Sequence, residues 1–327
     1  MTSGEAHTDV VRAVDFLRVT EGAALASGRW LGRGDAEAAE RAAVEAMRQA
    51  VDELPVSGTL VIGEGGVDEA PELYVGQVVG AGGMPCDMAL DPLEGTGLVA
   101  RGDAGAISVC VVAESGGVRA LPDMYMRKLC VGATARGQVD IRAPIDETLA
   151  AVATAFSRKV RDLTVIVLDR PRHAGLIEDV RSAGARIRLI PDGDITASLS
   201  AAVRGTGDHL YVGIGGSTEG LITAAIMECL SGEIQAQMWP RTDEERQRLA
   251  ETGIADPDDV LHTRDLVPAP LYVLATGVTD GTLLTGVRYF SDGARTHSIV
   301  MDLRANTVRF IDTIHLFDRA QVREIRL

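Results

Sequence analysis

Apolar positions near the start of the chain recur at helical spacing. Val10, Val14, Leu17 and Ala24 predict a helix over 9–27. Gly-Arg-Gly-Asp at 32–35 interrupts it, and Asp35 is placed to cap a second helix over 36–52. On that second helix Ala36, Ala43, Val44 and Met47 form the apolar face, and the spacing puts Glu40 on the same side. Glu37, Arg41, Glu45 and Arg48 take the other side, where i,i+4 pairing gives Arg41 a solvated role. Short apolar runs then read as strands: TLVIG (59–63), CDMALD (86–91) and AISVCVVA (106–113), with Pro71 placed to open a helix after the first.

A polar, glycine-containing stretch at 132–148 marks the zone between two expected sub-domains, 1–150 and 151–327. Beyond it the pattern becomes strand, loop, helix. LTVIVLD (163–169) precedes a helix over about 173–183, ARIRLI (185–190) leads through PDGD into another, and DHLYVGIG (208–215) leads through GSTEG into LITAAIMECL. This alternation predicts an α/β fold with a parallel sheet and right-handed crossovers. The last sixty residues are richer in strand pattern: LYVLATG, LLTGVRYF, THSIVMDL and NTVRFIDTI.

In such layers, sites gather beyond the carboxyl ends of strands. Five loops lie there, each after an apolar run: IGEGGVDE, LDPLEGT, LDRPRH, PDGD and IGGSTEG.

Composition narrows the chemistry. A net charge of −15 repels nucleic acid and anionic membrane, so an anionic substrate needs metal ions or a few placed arginines. Aromatic residues are only 4 %, too few for stacking platforms. Cys86, Cys110, Cys130 and Cys229 are widely spaced, which excludes a CxxC metal or redox site and suits buried thiols in the cytoplasm. No apolar stretch approaches the ~20 residues that a membrane span needs.

Within the loops, Glu64, Asp91 and Glu94 are hard oxygen donors, and clustered carboxylates repel one another unless a cation compensates them. Mg²⁺ and Mn²⁺ suit such donors. Pro92 and Gly95 could shape a tight turn that aims Asp91 and Glu94 at one point, with the Thr96 hydroxyl beside them. Arg170 and Arg172 could grip a phosphate; His173 reads more readily as a structural hydrogen-bonder. Asp192 and Asp194 could accept sugar hydroxyls or cap the next helix. Glu219 could be a ligand or could simply complement a helix dipole.

In order along the chain, IGEGxxDEAP, LDPLEGT, PDMYMRKLCVG, RPRH, IPDGD and GIGGSTEG resemble the class II fructose-1,6-bisphosphatases. These belong to the lithium-sensitive, metal-dependent sugar and inositol phosphatase superfamily. The resemblance covers nearly the whole chain. It implies a layered α-β-α-β-α sandwich, divalent cations (Mn²⁺ or Mg²⁺), and hydrolysis of the 1-phosphate of fructose 1,6-bisphosphate in gluconeogenic carbohydrate metabolism. By resemblance, the metal ligands fall on Glu40, Glu64, Asp91, Glu94 and Glu219. Asp68 and Thr96 would orient or deprotonate the attacking water. Substrate contacts fall on Glu94, Gly95, Thr96, Tyr125, Arg170, Pro171, Arg172, Asp192, Gly193, Asp194 and Gly216. A homo-oligomer, dimer or tetramer, is also implied.

The chain departs from the family pattern at Glu40 (for Asp), Arg41 (for Gly), Gly66 (for Glu), Gly97 (for Arg), Gly105 (for Asn) and Thr218 (for Pro). Loss of side chains at Gly97 and Gly105 could enlarge the pocket, which leaves open a phosphatase for another sugar phosphate, such as sedoheptulose 1,7-bisphosphate. A non-catalytic sugar-phosphate sensor is a further alternative, which loss of a core ligand would favour; only Glu40 is altered among them, conservatively.

Overall fold

The computed structural model describes residues 11–65 and 72–317. Two helices open the described chain, α1 (Leu17–Ser27), entered through a short 3₁₀ turn, and α2 (Ala36–Asp52). Asp35 caps α2 as its sequence position suggests, accepting from the Ala38 N–H at 2.9 Å. Both helices lie on a sheet made of β1 (Val56–Ile62), β2 (Val78–Val79), β3 (Met84–Glu94) and β4 (Ile107–Ala113), with α3 (Thr96–Arg101) between β3 and β4. Residues 72–77 form bends and turns, so no helix follows Pro71, which itself lies outside the described residues.

The chain then builds a second sheet. Its strands are β5 (Tyr125–Val131), β6 (Thr164–Leu168), β7 (Arg186–Ile190), β8 (Leu210–Gly216), β9 (Glu233–Met238) and β10 (Leu261–His262). Helices α4 (Ile145–Ala155), α5 (Ala174–Ser182), α6 (Asp194–Ala202), α7 (Ser217–Cys229), α8 (Asp243–Glu251) and α9 (Thr263–Leu266) connect them. Finally β11 (Pro270–Gly277), β12 (Arg288–Phe290), β13 (Gly293–Asp302) and β14 (Thr307–Leu316) return to the first sheet.

The first sheet runs β12-β13-β11-β4-β3-β1-β2, with β14 added beside β13; only β1 and β3 are parallel. The second runs β10-β9-β5-β8-β6-β7. The expected parallel sheet is therefore realised only in β8-β6-β7, because β5 enters antiparallel to both β8 and β9. The sheets also do not divide at residue 150: β5 precedes that position, and the strands from Pro270 onward rejoin the first sheet.

Side-chain alternation assembles five layers. In β4, Cys110 and Val112 face Phe16, Ala23, Ala39 and Met47 of the outer helices, while Val109 and Val111 face the middle of the molecule. There α6 and α7 contribute Ile195, Leu199, Ile222 and Ile226, packed also against Met126, Ile166 and Tyr211 of the second sheet. Leu149 and Val152 of α4 and Ile177 and Val180 of α5 cover the far face of that sheet against Val165 and Val167. The result is the α-β-α-β-α sandwich. It explains why β4 and β11 are buried along their whole length and show no polar alternation.

Candidate active site

A cleft of about 750 Å³ opens where the first sheet meets the central helices. All five carboxylates singled out as metal ligands line it: Glu40, Glu64, Asp91, Glu94 and Glu219. Each arrives from a different local device. Glu64 follows β1, and its N–H donates to the Leu73 carbonyl at 2.9 Å, which anchors the loop where it leaves the strand. Asp91 and Glu94 were expected on a turn after the strand. They lie on β3 itself, whose register against β4 breaks between them. That irregularity brings both to one cleft although they stand three apart, where regular pleating would send them to opposite faces. Gly95, at φ 88°, then turns the chain into α3, with Thr96 as its first residue and on the cleft wall. Glu219 stands in the first turn of α7 and accepts from the Thr218 hydroxyl at 2.9 Å.

Glu40 corrects the sequence expectation. The buried side of α2 is Ala38, Ala39, Ala43, Met47 and Val51, and Glu40 sits exposed at its edge, on the rim of the cleft. The small alanines shift the contact stripe one residue round the helix from the predicted one. Arg41 pairs with Glu37 at 3.6 Å on the solvent side, as the spacing suggests.

The carboxylates oppose one another. Burial, then Glu219 and Glu64, push the Asp91 carboxyl well above its ordinary value. Burial, then Asp91 and Asp194, do the same to Glu94, which is 7 % exposed and accepts from the Ile195 N–H at 3.0 Å. Glu64 is pushed to about 7 by burial and Glu40. Partial desolvation against the cleft rim, then Glu37, raise the exposed Glu40, and burial and Asp194 raise Glu219 against the lowering effect of Lys128. Such a set of hard, mutually repelling oxygens fits divalent cations. Among the described residues no three of these side chains already close on a single point. They share a wall, and an ion would draw them inward.

Residues 11–315 match the family described as bacterial fructose-1,6-bisphosphatase, glpX-encoded. The chain belongs to this family. Curated relatives span nearly its full length. A "D-fructose 1,6-bisphosphatase class 2/sedoheptulose 1,7-bisphosphatase" of Synechococcus sp. (strain JA-3-3Ab) is 43 % identical over 340 residues, covering 96 % of this chain and 98 % of the relative. The protein of the same name from Trichodesmium erythraeum (strain IMS101) is 40 % identical over 344 residues, covering 97 % and 100 %. Bacterial fructose-1,6-bisphosphatases of this kind are phosphoric monoester hydrolases.

The residues carried over from the family as substrate contacts divide in two. Glu94, Gly95, Thr96 and Asp192 line the cleft. Tyr125, Arg170, Pro171, Arg172, Gly193, Asp194 and Gly216 are not on its wall. Arg172 spends its guanidinium on the Ile214 carbonyl, at 3.1 Å from Nε and 2.8 Å from Nη2, and stacks over Tyr125 at 4.8 Å. Arg241 covers that ring at 4.5 Å. Arg170 lies 3.9 Å from Asp192. Asp194 is 5 % exposed and accepts from Lys128 Nζ at 2.7 Å and from the Tyr211 hydroxyl at 3.2 Å. His173 is structural, as expected: its Nε2 accepts from the Ile214 N–H at 2.7 Å and its Nδ1 lies 2.8 Å from the Leu168 carbonyl. Burial lowers its pKa, in keeping with a neutral ring. Asp68 and Gly66 lie outside the described residues.

The cleft also gathers Asp123 and Arg248, neither of which the sequence reading singled out. Asp123 was within reach, since it stands in the PDMYMRKLCVG motif. Arg248 gave no signal, because α8 has a single buried apolar residue, Leu249, and so no periodicity to orient it. Among the described residues, no helix is long and apolar enough to cross a membrane.

Proposed function

We propose that this chain removes the 1-phosphate of fructose 1,6-bisphosphate, giving fructose 6-phosphate and inorganic phosphate, with Mn²⁺ or Mg²⁺ as cofactor. The observation that carries the reading is the convergence of Glu40, Glu64, Asp91, Glu94 and Glu219 on one cleft in a chain of this family. Bound divalent ions would supply positive charge to the scissile phosphate and lower the pKa of the attacking water. The five carboxylates hold those ions. The Thr96 hydroxyl, on the cleft wall at the start of α3, orients the water, and Asp68 takes its proton. Asp192 accepts from sugar hydroxyls and sits close enough to Arg170 for the two to adjust together as a phosphate enters. Arg172 and Tyr125 act from behind the wall. Their stacked pair fixes the start of β5, into which the cleft residues Leu121, Pro122 and Asp123 lead.

A second substrate, sedoheptulose 1,7-bisphosphate, is favoured by the name that the relatives carry. Metal-site residues fall mostly before residue 150 and Arg170 to Glu219 after it, which supports two functional sub-domains even though the sheets interleave. The four cysteines are free thiols, in keeping with a cytoplasmic enzyme, and we take the active form to be a homo-oligomer.

The deciding experiment is phosphate release from a panel of sugar phosphates with Mn²⁺, Mg²⁺ and EDTA. Release from fructose 1,6-bisphosphate that EDTA abolishes is expected. Release that survives EDTA, or none from any sugar phosphate, refutes the reading.

A further inference from the structure

Where the family pattern carries Arg at position 97, this chain has Gly97, in the first turn of α3 next to Thr96. The space so opened is filled from within the same helix. A Cβ on Gly97 would stand 3.1 Å from Arg101 Nη1, 3.7 Å from Arg101 Nη2 and 3.6 Å from Asp192 Oδ2. Arg101 lies one turn further along α3, and helical side chains lean toward the N-terminus, so its guanidinium folds back across the glycine.

The course of that side chain is fixed. Gly102, at φ 78°, ends α3, and the Asp103 N–H donates to the Leu98 carbonyl at 2.8 Å. Asp103 is thereby turned back toward the helix, where its Oδ2 accepts from Arg101 Nε at 2.7 Å. The two Nη groups are left over Gly97, on the side of Asp192. Asp192 shows the complementary arrangement. Its Oδ1 accepts from the Gly193 N–H at 3.2 Å and lies 3.9 Å from Arg170 Nη2. Its Oδ2 accepts no hydrogen bond among the described residues and is the oxygen near Gly97.

Asp192 shares the cleft wall with the metal-site carboxylates in a chain of net charge −15, so a nearby cation is needed to hold it ionised in one orientation. In the functional reading above, Arg170 shifts as a phosphate enters. Arg101, anchored by Asp103, stays beside Asp192.

We infer that Arg101 is a positioning residue for Asp192. It supplies, from one turn further along α3, the positive charge that position 97 lacks in this chain, and it keeps Oδ2 of Asp192 presented to a sugar hydroxyl. This rests on the functional reading above. A hydroxyl contact made equally in the ground and transition states affects KM rather than kcat.

The test measures phosphate release from fructose 1,6-bisphosphate at saturating Mn²⁺. Arg101→Gln should raise KM about threefold, the scale of a half-exposed ion pair, with kcat within about twofold. Inhibition by inorganic phosphate, which offers no sugar hydroxyl, should be unchanged. Gly97→Arg added to Arg101→Gln should recover most of the lost affinity, because position 97 is helical and the space is free once Arg101 is gone. Gly97→Ala in the same background favours the helix without adding charge, and should recover none of it. In an Asp192→Asn background, Arg101→Gln should add no further rise, since two residues acting through one contact are not additive. An unchanged KM in Arg101→Gln overturns the inference alone. So does the same rise in KM with and without the Asp192 carboxylate, or recovery by Gly97→Ala, which would leave Arg101 a role in helix stability only. A wild type that hydrolyses no sugar phosphate overturns the functional reading and this inference with it.

Discussion

Glu64 shows what the cleft asks of single residues. Its carboxyl moves from 4.5 to about 7 through burial and the charge of Glu40. In the metal-free protein the folded chain therefore keeps a proton that the unfolded chain has released between those values. The stabilisation is complete below about 4.5 and is lost as the pH rises through about 7, a swing on the order of 3 kcal/mol at most. With EDTA present, urea unfolding of the wild type should show stability falling from pH 5 to pH 8, and Glu64→Gln should flatten that slope by close to one proton. Parallel slopes would mean that Glu64 titrates in the ordinary range. At this scale the sequence was informative because carboxylates after apolar runs are unusual enough to notice. The orientation of Glu40 was not, since a helical stripe rich in alanine can be drawn one residue either way. The role of Asp194 divides similarly: the sequence left it open between hydroxyl acceptor and cap, and the structure shows it tied to Lys128 on β5 and Tyr211 on β8. Burial opposes the charge on Lys128, but Asp194 and Glu219 together hold its pKa above the ordinary value.

Elements explain why the IGGSTEG loop is written as it is. A Cβ on Gly215 would run into the Asp194 carboxylate, and a Cβ on Gly216 into the Glu219 carboxylate. The two glycines let β8 end against the charged side chains that it helps to position. At Gly216 the obstacle is the far end of a side chain, so an added methyl should move Glu219 rather than break the fold. Gly216→Ala is therefore expected to raise the Mn²⁺ or Mg²⁺ concentration for half-activation by about tenfold, corresponding to ~1.4 kcal/mol, with the melting temperature of the metal-free protein shifted by only a few degrees. Unchanged metal activation would show that Glu219 is not held by that contact or is not a ligand. Most elements were legible because their periods are clean: α2 is capped where Asp35 predicts, and β4, β6 and β8 fall within a residue or two of their apolar runs. The antiparallel insertion of β5 was not, because a strand's period says which face is buried and nothing about its neighbour.

The whole molecule joins these parts in a way that pattern alone could not reveal. The apolar runs gave an α/β class; the five layers came only through family resemblance, and the return of β11–β14 to the first sheet is a long-range pairing with no local signature. That architecture makes the cleft a meeting point of layers. Glu40 belongs to the outer helical layer, Glu64, Asp91 and Glu94 to the first sheet and the loop leaving it, and Glu219 to the central helices. A cation held by this set would tie three layers together and offset the burial, and then the mutual repulsion, that raise their pKa values. Binding to the folded chain alone stabilises it by about 2.7 kcal/mol at a hundredfold excess over Kd, which for a chain of this size is a rise of several degrees in melting temperature. Thermal unfolding should therefore shift upward with Mn²⁺ or Mg²⁺ in proportion to the logarithm of concentration. KCl at matched ionic strength should produce a much smaller shift, since screening alone does not bridge the layers. The shift should be larger at pH 8 than at pH 6, because protonated carboxyls compete with the ion, and smaller in Gly216→Ala. A melting temperature that ignores both divalent ions, or that responds equally to KCl, would mean that the shared wall of carboxylates is not an ion site.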